Sequence, residues 1–222
     1  NNTSGMATIL KLKLREWALE LRELKPAKAA ERKEAMLTEI YRILVECLGV
    51  PPAEFEWTRY DKEGNPVETK SYTPKSFYKE YFGDIDLEND FVMVMNDPSR
   101  EYYKVYEIEY DRHVYDGDNW VYLNLPIDEV KALAIASIKD NTAMYFSCDV
   151  GKYLLKKKGT LDINNFDYES LMGVEFPMNK EERIRTFASG SSHAMTLIAV
   201  DLDEQGNAKK WMVENSWGPS AG

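Results

Sequence analysis

The chain has 222 residues, 44% of them hydrophobic and 12% aromatic, which is enough apolar material for one large or two small packed domains. A net charge of −10 at pH 7, with Lys156-Lys157-Lys158 as the longest basic run, excludes a phosphate-binding face, so no nucleic-acid partner is expected. No apolar run approaches the roughly 20 residues of a membrane helix and no signal peptide opens the chain. Two cysteines, Cys47 and Cys148, exclude a disulfide framework, so a reducing, cytoplasmic setting without a membrane partner is expected.

In chain order, Leu10, Leu14, Trp17, Leu21 and Leu24 recur at steps of four and three and predict a helix with one apolar face. Lys25-Pro26 interrupts it. Met36, Ile40, Ile43, Leu44 and Cys47 build a second stripe, ended by Gly49 and Pro51-Pro52. Membership of that stripe predicts a buried, inert Cys47. Phe55 to Tyr60 reads as a strand, followed by a turn at Lys62-Glu63-Gly64-Asn65. Thr73-Pro74 is a helix start, Phe77, Tyr78 and Tyr81 its apolar side, and Gly83 its stop. The acidic series Asp84, Asp86, Glu88, Asp90 is not an EF-hand, because Asn89 stands where that loop needs Gly and Met95 where it needs Glu.

Further strands are predicted at Phe91 to Met95, Tyr102 to Tyr110 and Trp120 to Leu125, the second carrying Tyr102, Tyr106 and Tyr110 on one face. Asp128 is positioned to cap a helix running to Ile138, and Ala143 to Cys148 is strand-like. His113 has no metal-ligand spacing to His193 or to either cysteine, so neither a metal nor another cofactor is expected. Ala194 to Leu202 and Lys210 to Glu214 then read as two strands joined by the turn Asp203-Glu204-Gln205-Gly206-Asn207.

The chemistry-bearing residues flank that hairpin: Ser192-His193-Ala194-Met195 opens it and Glu214-Asn215-Ser216-Trp217-Gly218 closes it. Folding it about its loop brings His193 and Asn215 to the same open end on adjacent strands, about 5 Å apart. An imidazole can take the proton of a thiol, and an asparagine carbonyl can hold that imidazole in one tautomer and one orientation.

This pairing resembles the His/Asn half of a papain-like cysteine peptidase. Within that group the chain resembles the bleomycin hydrolase and aminopeptidase C branch. The resemblance rests on Met36-Leu37-Thr38-Glu39-Ile40-Tyr41-Arg42, Leu48-Gly49-Val50-Pro51-Pro52, Phe55-Glu56-Trp57, Thr73-Pro74-Lys75-Ser76-Phe77-Tyr78 and Asp97-Pro98. It continues through Tyr122-Leu123-Asn124-Leu125-Pro126, Cys148-Asp149-Val150-Gly151-Lys152 and the two motifs of the hairpin.

The resemblance implies an α+β, papain-like but incomplete fold. A helix-rich part with a family-specific insertion would occupy residues 1–125, and a β-barrel half carrying the catalytic pair residues 126–222. It makes His193 the catalytic base and acid, Asn215 its orienting residue and Trp217 the ring that covers their hydrogen bond. The nucleophile is absent: neither Cys47 nor Cys148 stands in a Cys-Trp context at a helix N-terminus, and Gln205, the only glutamine, is not placed for an oxyanion hole. The expectation is a stretch that begins after the nucleophile segment of a longer enzyme, inactive alone. The implied function is a cysteine aminopeptidase acting on peptide substrates and self-associating as a hexamer; the alternative is a non-catalytic papain-like module that binds peptides or assembles.

Overall fold

The computed structural model describes residues 3–217. The chain divides into two compact units, Asn1–Leu87 and Glu88–Gly222.

The first unit opens with two helices, α1 (Thr3–Arg22) and α2 (Pro26–Leu48), joined at Lys25-Pro26 as the proline predicts. Their apolar stripes meet at Trp17 and Met36, which are 2% and 4% exposed. Gly49 ends α2 with φ 87°, and its N–H donates to Val45 O. Cys47 is exposed, against expectation. It lies in the last turn of α2, which at 23 residues is longer than the 20-residue α1 that it packs on.

Strands β1 (Phe55–Tyr60) and β2 (Pro66–Tyr72) follow as an antiparallel hairpin. The Asp61 carboxylate holds its turn by accepting from the Glu63 and Asn65 N–H groups. β2 escapes detection by periodicity because only Tyr72 in it is buried. Helix α3 (Pro74–Phe82) starts in a full capping box, Thr73 and Ser76 each bonding the other's backbone N–H. Phe77 and Tyr81 of α3 pack on Phe55, Trp57 and Tyr72 of the hairpin, with ring centroids 5.2 to 6.2 Å apart.

In the second unit, β3 (Val94–Met95), β4 (Lys104–Glu107) and β5 (Val121–Asn124) form a sheet in the order β3-β5-β4. The strand expected over Tyr102 to Tyr110 is reduced to four residues. Tyr103 and Tyr110 have left-handed backbones, φ 60° and 64°, and these reversals break the pleat at both ends. The three tyrosines therefore do not line one strand face: Tyr106 alone is in β4. Asn124 is fully buried. Its amide donates to Asp97 O, Arg100 O and Glu101 O, and its carbonyl accepts from Asp97 N.

Helix α4 (Ile127–Lys139) begins one residue before Asp128, after Pro126, so Asp128 is in the first turn rather than at the cap. There its charge still favours the positive helix end. Strand β6 (Met144–Cys148) leads into short elements: β7 (Leu154–Leu155), a 3-10 turn at Lys156–Lys158, β8 (Thr160–Leu161), α5 (Tyr168–Met172) and α6 (Lys180–Arg185). Strands β9 (His193–Leu202) and β10 (Ala208–Glu214) close the described chain. The resulting sheet has the order β10-β9-β6, antiparallel throughout, with β9 central. Met195 and Leu197 point to its buried face, on which α4 packs. Among the described residues the strands make small open sheets and no closed barrel.

Candidate active site

His193 is the first residue of β9, and Asn215 follows the last residue of β10. The hairpin carries them to one end of the sheet, past a register irregularity between Met212 and Val213. His193 Nε2 and Asn215 Oδ1 are 3.0 Å apart, and both residues are half-buried. A carbonyl oxygen facing Nε2 can only accept, so the neutral ring makes this hydrogen bond as the Nε2–H tautomer. Nδ1 is then left with the lone pair, the state needed to accept a proton from a thiol.

Trp217 stacks on His193 with centroids 4.5 Å apart and planes 28° off parallel. Trp217 stays 40% exposed itself. Lys156, from the 3-10 turn, places its ammonium 5.2 Å from the centre of the Trp217 ring. Spacing alone gave no signal for this lysine. Gly218, the last residue of the motif, lies outside the described residues.

Cys148 is the last residue of β6 and pairs directly across from His193. Its thiol is pushed up, first by burial and then by the neighbouring Asp149 carboxylate. An activated nucleophile needs the reverse. Cys47 belongs to the other unit. His113 packs edge-on against Trp120, 5.7 Å between centroids. Among the described residues no group of three or more His, Cys, Asp or Glu is arranged to hold a metal ion. No described helix is long and apolar enough to cross a membrane.

At this end of the sheet an imidazole and an amide are hydrogen-bonded beside an indole that stacks on the imidazole. The chain belongs to the Peptidase C1-like family, whose model matches residues 1–222. It is 39% identical over 230 residues to bleomycin hydrolase of Homo sapiens, covering 99% of this chain and 50% of that protein. It is 38% identical over 224 residues to aminopeptidase G of Lactobacillus delbrueckii subsp. lactis, covering 99% and 51%. Aminopeptidase C of Lactococcus lactis subsp. cremoris is 40% identical over 192 residues, 86% and 43%. The crystal structure of PepW from Lactobacillus rhamnosis HN001 superposes with a TM-score of 0.86 at 36% identity, over 99% of this chain and 50% of that one. The fold is thus the α+β papain-like peptidase fold, and the chain spans about half the length of the relatives it matches.

Proposed function

We propose that this chain supplies the imidazole and amide of a cysteine aminopeptidase, His193 acting as base and acid and Asn215 as its orienting residue. The observation that carries the reading is the 3.0 Å contact from His193 Nε2 to Asn215 Oδ1 beneath Trp217. In this reading the nucleophilic thiol comes from outside these 222 residues, since burial and Asp149 push the Cys148 thiol up and neither cysteine stands in a Cys-Trp context. In the acylation step that thiol gives its proton to His193 Nδ1, and the thiolate attacks the carbonyl of a peptide's first residue. The imidazolium, steadied by Asn215, returns the proton to the departing amine as the C–N bond breaks; water then takes the amine's place, gives a proton to the same nitrogen and attacks the thioester carbonyl, and the C–S bond breaks as the sulfur leaves and takes that proton back. The relatives named as aminopeptidases support an N-terminal trimming activity on peptide substrates. Self-association, hexameric by resemblance, in the cytoplasm belongs to the same reading, because an enclosed site admits chain ends and excludes folded protein.

The test uses the parent enzyme with aminoacyl fluorogenic substrates. His193→Ala should lower kcat/KM by more than about a thousandfold, since members of a catalytic set act as a unit. Asn215→Ala should lower kcat roughly tenfold to a hundredfold by freeing the ring. The parent should run as a large oligomer and release single N-terminal residues. Turnover that survives His193→Ala, or that Cys148→Ser abolishes in the 222-residue chain, would overturn the assignment.

A further inference from the structure

The loop that delivers His193, residues 188–192, has no regular structure of its own. It follows α6 and a left-handed turn at Phe187, φ 57°. Its order comes from the end of β6 and the residues just after it. Ser147 Oγ donates to the His193 carbonyl at 3.2 Å and shares a short hydrogen bond with Ser191 Oγ. The Ser192 N–H donates to Cys148 O at 2.9 Å, and the Val150 N–H donates to Ser192 Oγ at 3.1 Å. Between them stands Asp149, whose side chain is only 10% exposed. One carboxylate oxygen, Oδ2, accepts from Ser189 Oγ at 2.9 Å and from Lys152 Nζ at 3.0 Å, and the Gly190 N–H also points to this carboxylate. Lys152 Nζ donates in addition to Ala188 O.

A carboxylate so nearly buried persists only with partners. Apart from Lys152, every partner of Asp149 lies on the loop, and Lys152 itself reaches the loop at Ala188. The electrostatic requirement of one buried charge is therefore met by ordering residues 188–190, three to five positions before the imidazole. Ser147 and Ser192 carry the restraint onward to the His193 backbone. Each tether bridges a long stretch of chain, and all of them converge on the loop that ends in His193.

We propose that Asp149 is a positioning residue for His193: by gathering Ser189, Gly190 and Lys152 on one buried carboxylate it sets the loop that aims the imidazole at Asn215. The catalytic consequence rests on the function proposed above; the positioning itself does not. This role accounts for the stretch Cys148-Asp149-Val150-Gly151-Lys152, whose cysteine the proposed chemistry leaves idle. Asp149 touches no reacting atom and acts only through the loop.

The chain's two histidines permit a direct test, because His113 serves as internal reference. Long-range 1H–15N spectra of the 222-residue chain should show His193 as a single Nε2–H tautomer with a slowly exchanging ring proton. In Asp149→Ala that proton should exchange at least about tenfold faster and the tautomer should average, with His113 unchanged; Asp149→Glu should restore part of the signal. If Asp149→Ala does not fold, Ser189→Ala decides, since it removes one tether without stranding a charge; the His193 proton should again exchange faster. In the parent enzyme Asp149→Ala or Ser189→Ala should lower kcat by about tenfold to a hundredfold with KM within about twofold, the signature of a misplaced catalytic group. Unchanged His193 spectra in a folded variant would overturn the positioning role. Altered spectra in a parent that stays active as His193→Ala would instead overturn the catalytic reading and leave the positioning intact.

Discussion

The two units are stabilised in different ways. In Asn1–Leu87 the packed groups are apolar or aromatic: Trp17, Met36 and Tyr72 are buried, and Phe55, Trp57, Phe77 and Tyr81 are half-buried in the aromatic cluster around Tyr72. Its charged pairs, such as Arg32 with Glu20, stay on the surface. In Glu88–Gly222 polar side chains move inside and organise irregular backbone: Asn124 at the loop 97–101, Asp149 at the loop 188–192. Apolar burial is non-directional and tolerates a range of geometries. A buried polar group demands particular partners at particular angles, so it suits segments that must hold one conformation. The second unit carries the proposed catalytic pair, and there that requirement is strictest.

The contrast should break most visibly at Asn124. Asn124→Ala would strand one N–H and three carbonyls around an unexposed position and should destabilise the second unit by about 3–4 kcal/mol. Met36→Ala, the matching deletion in the first unit, should cost about 2–3 kcal/mol. Urea unfolding of both variants checks the order, and a smaller loss for Asn124→Ala would erase the distinction.

The thiols give a second comparison. Cys47 is exposed, while Cys148 is half-buried with its thiol pushed up by burial and by Asp149. Titration with a disulfide reagent at mildly alkaline pH should show one fast and one slow thiol, at least about tenfold apart, with Cys47→Ser removing the fast phase.

The smallest effects are those of charge. Burial raises the Asp149 pKa, but the Lys152 and Ser189 hydrogen bonds and the Lys152 charge outweigh it and hold the carboxyl below its ordinary value of 3.8. A depressed carboxylate pKa contributes stability above the unfolded-state value, and the contribution is lost as pH falls through the folded-state value. The stability gap between the native chain and Asp149→Asn should therefore be full near neutrality and shrink below about pH 4. Arg32→Met, by contrast, should leave the unfolding midpoint unchanged at physiological salt, because its partners are solvent-exposed. A midpoint that moves as far for Arg32→Met as for Asp149→Asn would show the two kinds of charge to be equivalent.

Much of this architecture is written locally. The apolar steps from Leu10 to Leu24 and from Met36 to Leu44 specify the helix pair, Thr73-Pro74 specifies a cap, and Asp203-Gly206-Asn207 specifies the turn that pairs β9 with β10. That hairpin also made the His193–Asn215 approach legible, since both residues flank one turn and the pleat has a fixed period. What tertiary structure decided lies between residues far apart in the chain. β2 is polar and becomes a strand by pairing with β1. Tyr103 and Tyr110 leave the pleat although their sequence alternates correctly. Cys47 follows the apolar stripe yet is exposed in the last turn of α2. Asp149 reads as one more charged residue until the fold sets it against Ser189, and Ser147 as one more hydroxyl until it meets the His193 carbonyl. The reason is physical: periodicity and turn chemistry report on the bonds a residue makes with its own segment, whereas burial and the partners of a buried polar group exist only once separate segments are packed together.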